Sequence, residues 1–284
     1  GLALGPDAVY SYDAASRLVG AAFDGAAVEL EYAPLSREVV TRKFTAGGAT
    51  QLQASRELDR LDRLRTLSYH SPGTLEVRWG YALSRDRFGR LLSVDREDGG
   101  RTDYTHDPAG RVNGETWSLR GGVQLPGRTR AWSFDDVGNL QWAVRNAQTS
   151  FFTPNALNQY TSRTVPGLIE VTGRADAAAT VTVDVSPEES VPFPVERQAD
   201  HFLRRLALDN TTSAVRSRLT VYGSRLADSA ATSDALASLQ RDVFLPQSPE
   251  RFAYDADGNL IGNHRATGIG RPKFWDRARY YGEE

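Results

Sequence analysis

Four carboxylates along this 284-residue chain each stand four residues ahead of an arginine: Asp13 and Arg17, Asp59 and Arg63, Asp86 and Arg90, Asp107 and Arg111. Carboxylate and guanidinium at that spacing form a complementary charged pair. They read as partners across a tight turn, an ion pair of modest worth. Other residues invite chemistry and fail on spacing. Asp135 and Asp136 are adjacent, and strand neighbours point to opposite faces, so they are no glycosidase pair. The run "DADGN" at 255–259 resembles the start of a calcium loop, but the twelfth position, where a bidentate Glu belongs, is Ala266. His70, His106, His201 and His264 form no HExxH or short paired spacing. "GIGRPK" at 268–273 lacks phosphate-loop spacing, and there is neither a GxSxG motif nor a cysteine nucleophile. The expectation is a non-enzyme with no cofactor and no metal.

The carboxylates belong to a repeat, and the repeat defines the elements that carry them. Its form is aromatic-x-Tyr-Asp-x-x-small-Arg-Leu. "YSYDAASRL" carries Tyr12, Asp13 and Arg17. Later copies carry Ala33; Asp59 and Arg63; Asp86, Gly89 and Arg90; Asp107, Gly110 and Arg111. Then come Trp132, Asp135 and Gly138; Asn155; and Tyr254, Asp255 and Gly258. The turn-opening positions 13, 33, 59, 86, 107, 135, 155 and 255 are separated by 20, 26, 27, 21, 28, 20 and 100 residues. Asp-x-x-Gly predicts a type I turn, with Asp bonding its own turn N–H groups and the fourth residue at positive φ. Aromatics spaced by two share one strand face. Midway between copies lie hairpin signals at Asp24-Gly25, Gly47-Gly48, Pro72-Gly73, 98–100, Gly121-Gly122 and Arg145-Asn146. Strand, turn, strand, turn predicts an antiparallel meander, with no amphipathic helix in 1–163.

Composition narrows the function classes. Hydrophobic residues are 40% and charged residues 25%, the balance of a folded soluble chain. Thirty-four Lys plus Arg against 36 Asp plus Glu leave −2, with no field to steer nucleic acid. No stretch approaches the roughly 18 apolar residues of a membrane span. Absence of cysteine excludes disulfides and thiolate metal sites and is compatible with secretion. The chain has no Met and no signal peptide at its start, and is read as a fragment of a longer product. Trp79, Trp117, Trp132 and Trp142 fall in the repeats, where aromatic faces could stack on a cell-surface glycan or hold neighbouring strands together.

The copies resemble the YD repeats of RHS and teneurin-type proteins, over about 1–163 and 250–262. The resemblance implies a long β-sheet wound into a hollow shell that encloses a C-terminal toxin in bacterial polymorphic toxins or serves adhesion in teneurins. The conserved core element that closes such shells, rich in Asp-Pro-x-Gly, is absent, so no cleavage residues carry over.

Between 164 and 249 the composition changes. Thr180, Thr182 and Asp184 alternate with Val181, Val183 and Val185, and further strands are predicted near 200–209 and 214–222. Residues 229–240 read as a short helix or a loop, and Pro187, Pro192 and Pro194 exclude a helix around them. Asn210-Thr211-Thr212 is a formal glycosylation sequon. The expected architecture is all-β: hairpin repeats at 1–163 forming a curled open sheet, an inserted Ig-like sandwich at 164–249, and a last repeat with an irregular tail at 250–284. The expected role is a structural segment of a larger secreted or cell-surface protein, part of a β-shell around a C-terminal effector. The alternative is an adhesion or carbohydrate-binding module.

Overall fold

The computed structural model describes residues 8–70, 76–186, 193–227 and 233–263. The chain divides into two compact units, Gly1–Ala131 and Trp132–Glu284. Among the described residues there is no helix.

The first unit is a meander of β1 (Val9–Tyr12), β2 (Leu18–Phe23), β3 (Ala26–Tyr32), β4 (Val39–Ala46), β5 (Ala49–Leu58) and β6 (Leu64–His70). It continues through β7 (Val77–Arg85), β8 (Leu91–Arg96), β9 (Arg101–His106), β10 (Val112–Ser118) and β11 (Gln124–Phe134), whose last residues belong to the second unit. Consecutive strands pair antiparallel in chain order. Two kinds of turn occur, and they do not alternate throughout, since the midway turns at 96–100 and 119–123 each span three residues. Asp24-Gly25 and Gly47-Gly48 take positive φ at both positions, leaving Phe23 opposite Ala26 and Ala46 opposite Ala49. That conformation matches the twist of the strands. The other kind is the three-residue turn opened by Asp13, Asp59, Asp86 and Asp107. Its fourth residue is left-handed, and a bulge follows it, seen as the register shift between Ser11 and Tyr12. The second copy is one residue longer: Ala33 N–H bonds Glu38 C=O, and Leu35 is the left-handed residue.

In the second unit the meander consists of β12 (Leu140–Arg145), β13 (Gln148–Pro154), β14 (Tyr160–Arg163), β22 (Glu250–Tyr254) and β23 (Leu260–Asn263). Arg145 pairs with Gln148, so the hairpin turn there is Asn146-Ala147, one residue beyond the sequence reading. Among the described residues the strand order of the ladder runs from β1 to β14, then β22 and β23, with no pairing between β1 and β23.

One register recurs wherever the strand leaving one turn meets the strand entering the next. The paired residues are Gly20 and Glu29, Thr66 and Ala82, Ser93 and Asp103. They are then Gly114 and Ala131, Trp142 and Phe151, Ser162 and Arg251. Each pair joins the seventh residue past one turn-opening position to the fourth before the next. Thr41 and Ser55 obey the same rule, shifted by the extra residue of the longer turn.

Pairing sorts the side chains into two faces. One row runs Arg42, Ala54, Tyr69, Trp79, and a parallel row Arg56, Leu67, Tyr81, Arg96. The opposite face carries Thr41, Ser55, Ser68 and Gly80. Strand alternation makes one face aromatic and basic and the other small and polar.

The remaining strands lie in the chain between β14 and β22: β15 (Leu168–Arg174), β16 (Thr180–Ser186), β17 (Phe193–Pro194), β18 (Glu196–Gln198), β19 (His201–Ala207), β20 (Val215–Arg225) and β21 (Ala235–Leu245). They form two small sheets, β15-β19-β18 and β17-β16-β20-β21. Val183, Val185, Leu206 and Leu219 pack between them with Ile169, Val171 and Val221. The alternation expected at 180–185 holds: Val181, Val183 and Val185 are buried, and Thr180, Thr182 and Asp184 are not. The helix-or-loop reading of 229–240 is corrected over its described part. Residues 235–245 are a strand, because they pair with β20 over its entire length. No alternation announced it, since Ala235–Asp242 are exposed on both faces.

Candidate functional site

The repeated turns are the most regular polar constellation in the chain. In the six opened by an Asp, one carboxylate oxygen closes the turn and the other holds the side chain four residues on. Asp86 Oδ1 accepts the N–H groups of Phe88 and Arg90, both at 2.9 Å, and Oδ2 accepts Arg90 Nε–H at 2.6 Å. Asp13 does the same with Ala15 and Arg17, Asp59 with Leu61 and Arg63, and Asp107 takes both the backbone and Nε of Arg111. In the copies opened by Asp135 and Asp255 the partner is an asparagine, whose Nδ2 replaces the guanidinium at 2.9 and 3.0 Å. Asn155 reverses the roles: its own Nδ2 donates to Gln159 Oε1 at 2.9 Å. An acceptor-only Asp meets a donor, and an amide meets an amide.

Gly89, Gly110, Gly138 and Gly258 sit at the left-handed position of their turns. Side chains of successive turns also reach each other. A Cβ on Gly89 would lie 2.7 Å from Arg63 Nη1, and Asn139 Nδ2 donates to Asn158 Oδ1 at 2.9 Å. The Tyr ahead of two of the turns also reaches the preceding repeat. Tyr32 hydroxyl donates to Leu18 C=O at 2.7 Å, and Tyr254 hydroxyl to Tyr160 C=O at 3.0 Å. Arg85 occupies the Tyr position in its copy and donates to Leu64 C=O, the equivalent carbonyl. Sequence comparison with the motif treats Arg85 as a mismatch, although its long donor makes the same bond. Tyr12, in the first copy, is exposed, and Trp132 is half-buried on β11.

These hydrogen bonds hold the carboxyls ionised. The Arg63 guanidinium pulls Asp59 down to about 2, against some desolvation. For Asp86 and Asp107 desolvation pushes upward, but the combined bonds from Arg90 and Arg111 leave both below the usual value. Asp135 and Asp255 are lowered chiefly by their asparagine partners. A carboxyl held ionised, with both oxygens committed inside its turn, is poorly suited to general acid work. Among the described residues no three His, Asp or Glu side chains gather as a metal site. His264, Ala266 and the 268–273 run lie outside the described residues, as do Pro72-Gly73, Pro187 and Pro192. His70 Nε2 pairs with Ser68 Oγ at 3.0 Å, and His201 lies beside Asp200.

The aromatic face offers a second surface. Trp79 packs against Tyr69 at 5.3 Å and Tyr81 at 5.5 Å between ring centroids, and remains 49% exposed. Trp117 is flanked by the guanidinium groups of Arg96 at 4.4 Å and Arg128 at 5.3 Å, and its Nε1 donates to Glu115.

A third constellation escaped the sequence because its members are far apart. Arg163 Nε bonds the fully buried Glu250 at 2.6 Å, across 87 positions. Beside it Asn210 Nδ2 donates to Val165 C=O at 3.1 Å and Pro246 C=O at 2.8 Å. The sequon reading of Asn210 gives way to this clasp, since its amide nitrogen is buried and doubly bonded. Glu170, also buried, accepts from Arg205 at 3.3 Å and from Asn146.

Fold and site together define an antiparallel β-hairpin repeat protein with a small two-sheet insertion. Solved structures similar to it come from Tc toxin complexes. A mutant Tc holotoxin pore of Photorhabdus luminescens gives a TM-score of 0.30 at 10% identity, over 90% of this chain and 17% of that one. A TcdB2-TccC3 crystal structure gives 0.26 at 13%, over 89% and 16%. A TcdB2-TccC3 chain without its hypervariable C-terminal region gives 0.26 at 10%, over 95% and 18%. The chain therefore spans well under two thirds of the chains it matches. No family model matches the sequence, and no curated protein matches it.

Proposed function

We propose that the chain is a structural, non-enzymatic RHS/YD-repeat segment of a larger secreted protein, part of a β-wall that encloses or presents another portion of its polypeptide, such as an effector. The constant register between successive turns carries this reading. A sheet that adds hairpins by one rule extends by repetition, and its two unlike faces suit a wall with different surroundings on each side. Tight, saturated Asp turns rigidify such a wall without needing a thick core.

The test is protection. In the native polypeptide, a segment following the repeats should resist protease until denaturant opens the sheet. Cleavage of that segment at the same rate with and without the repeats overturns the reading.

A second reading, adhesion through glycan stacking, draws on the exposed Trp79 between Tyr69 and Tyr81. Binding across a glycan panel that is lost in Trp79→Ala supports it, and silence across the panel removes it.

A further inference from the structure

The sheet of the first unit sorts its charges as sharply as its sizes. The strand carboxylates Glu29, Glu31, Glu57, Asp95 and Asp103 stand opposite Lys43, Thr41, Thr66, Ala82 and Ser93, all on the small polar face. Arg42, Arg56 and Arg96 stand on the aromatic face. Among the described residues the strand carboxylate there is Glu115, which is engaged by Arg130 at 3.6 Å and by the Trp117 indole. Arg96 is spent on Thr102 Oγ1 and the Trp117 ring, and meets no carboxylate.

Arg42 and Arg56 are left without a counter-charge. Arg42 is opposite Ala54, and Arg56 lies two residues further along β5, so the two are diagonal neighbours with backbones about 7–8 Å apart. Both are half-buried, and neither makes a side-chain hydrogen bond or ion pair with a described residue. Like charges held this close repel unless an anion lies between them.

Aromatic rings adjoin the pair. Ala54 is opposite Tyr69, which is opposite the half-exposed Trp79. Arg56 is opposite Leu67, and that row continues through Tyr81 to Arg96. Trp79 meets Tyr69 at 49° and Tyr81 at 89°, so these rings offer no parallel faces for successive bases of a nucleic acid. A carboxylate-bearing sugar joins in one molecule what this face supplies in parts. Its ring C–H groups suit the negative face of Trp79. Its carboxylate suits a guanidinium fork.

We propose that the aromatic face binds an acidic glycan, with the carboxylate of one sugar between Arg42 and Arg56 and a neighbouring sugar over Trp79. This ligand class rests on the adhesion reading above and narrows it to charged sugars.

Calorimetric titration of the 284-residue chain tests it. The probes are galacturonate, glucuronate and sialate oligosaccharides, each beside its methyl ester, which keeps the rings and removes the charge. At least one acid should bind, with its ester about tenfold weaker or more. Arg42→Gln and Arg56→Gln should each weaken the acid about tenfold and leave the ester unchanged. Trp79→Ala should weaken both. Without sugar, Arg42→Gln should melt no lower than the parent chain, because it relieves a like-charge pair. If that variant fails to fold, the comparison of acid with ester in the unaltered chain decides. An ester that binds as tightly as its acid, and is lost in Trp79→Ala, overturns the acidic class and leaves adhesion standing. Silence toward both forms of every probe removes both. Polyglutamate or oligothymidylate that binds as tightly as the acid, and is indifferent to Trp79→Ala, also overturns the proposal, since charge alone then suffices.

Discussion

The insertion and the repeat ladder are both antiparallel β, yet they are held together differently. The insertion buries Val183, Val185, Leu206 and Leu219 in one cluster between its two sheets, and buries Val181 and Leu203 as well. In the ladder the buried apolar side chains among the described residues are Ala54 and Leu125, while Phe44, Trp79 and Phe151 stay largely exposed. A sandwich gains stability by removing apolar area from water. A single layer has no second sheet to do this, and relies on ladder hydrogen bonds, cross-strand rows and closed turns.

The sharpest way to break the comparison is to truncate one side chain in each region. Leu203→Ala should cost the insertion about 2–5 kcal/mol, because Leu203 is fully buried. Phe44→Ala, on the ladder, should cost less than about 1 kcal/mol. Chemical denaturation followed residue by residue by amide exchange measures both, and equal costs would erase the distinction.

Arg163→Ala comes next. It strands buried Glu250 at the seam between ladder and insertion, at about 3 kcal/mol. Glu250→Gln with Arg163→Ala should recover part of the loss in the same denaturation experiment.

Within the ladder, Gly89→Ala should cost about 1 kcal/mol, from a left-handed backbone and contact with Arg63. Gly223→Ala in β20, with open space at the Cβ position and no positive φ, should be close to neutral. Thermal melts of the two variants sharpen the contrast between turn and strand glycines.

The smallest effect is acidic. The turn carboxyls are lowered from 3.8, Asp59 to about 2. Their contribution to stability is complete above the ordinary Asp value and is lost as pH falls through the folded value. Amide shifts of Leu61 and Arg63 should therefore titrate with a midpoint near 2. A midpoint near 3.8 would mean that the Asp59 clamp is not formed in solution.

Gly99 and Gly122 close three-residue turns where the sequence signalled two-residue ones, but the turns opened by Asp13, Asp59, Asp86, Asp107, Asp135 and Asp255 were legible in the sequence, because their chemistry closes within five residues. So was the alternation of 180–185, which shows one buried face. β21 was not legible, since a strand exposed on both faces carries no period of two. The role of Arg85 was hidden too: the fold asks for a donor at that place, which a motif written as an aromatic excludes.

The sequence by itself determined where the Asp-opened turns fall and which Asp meets which Arg, because these depend on neighbours in the chain. Only the tertiary structure decided that Glu250 is buried against Arg163, and that Asn210 clasps two distant backbone segments and is no accessible sequon. It also decided that side chains of several turns touch the next turn. Such contacts depend on which distant strand arrives alongside, and that is set by sheet register and burial.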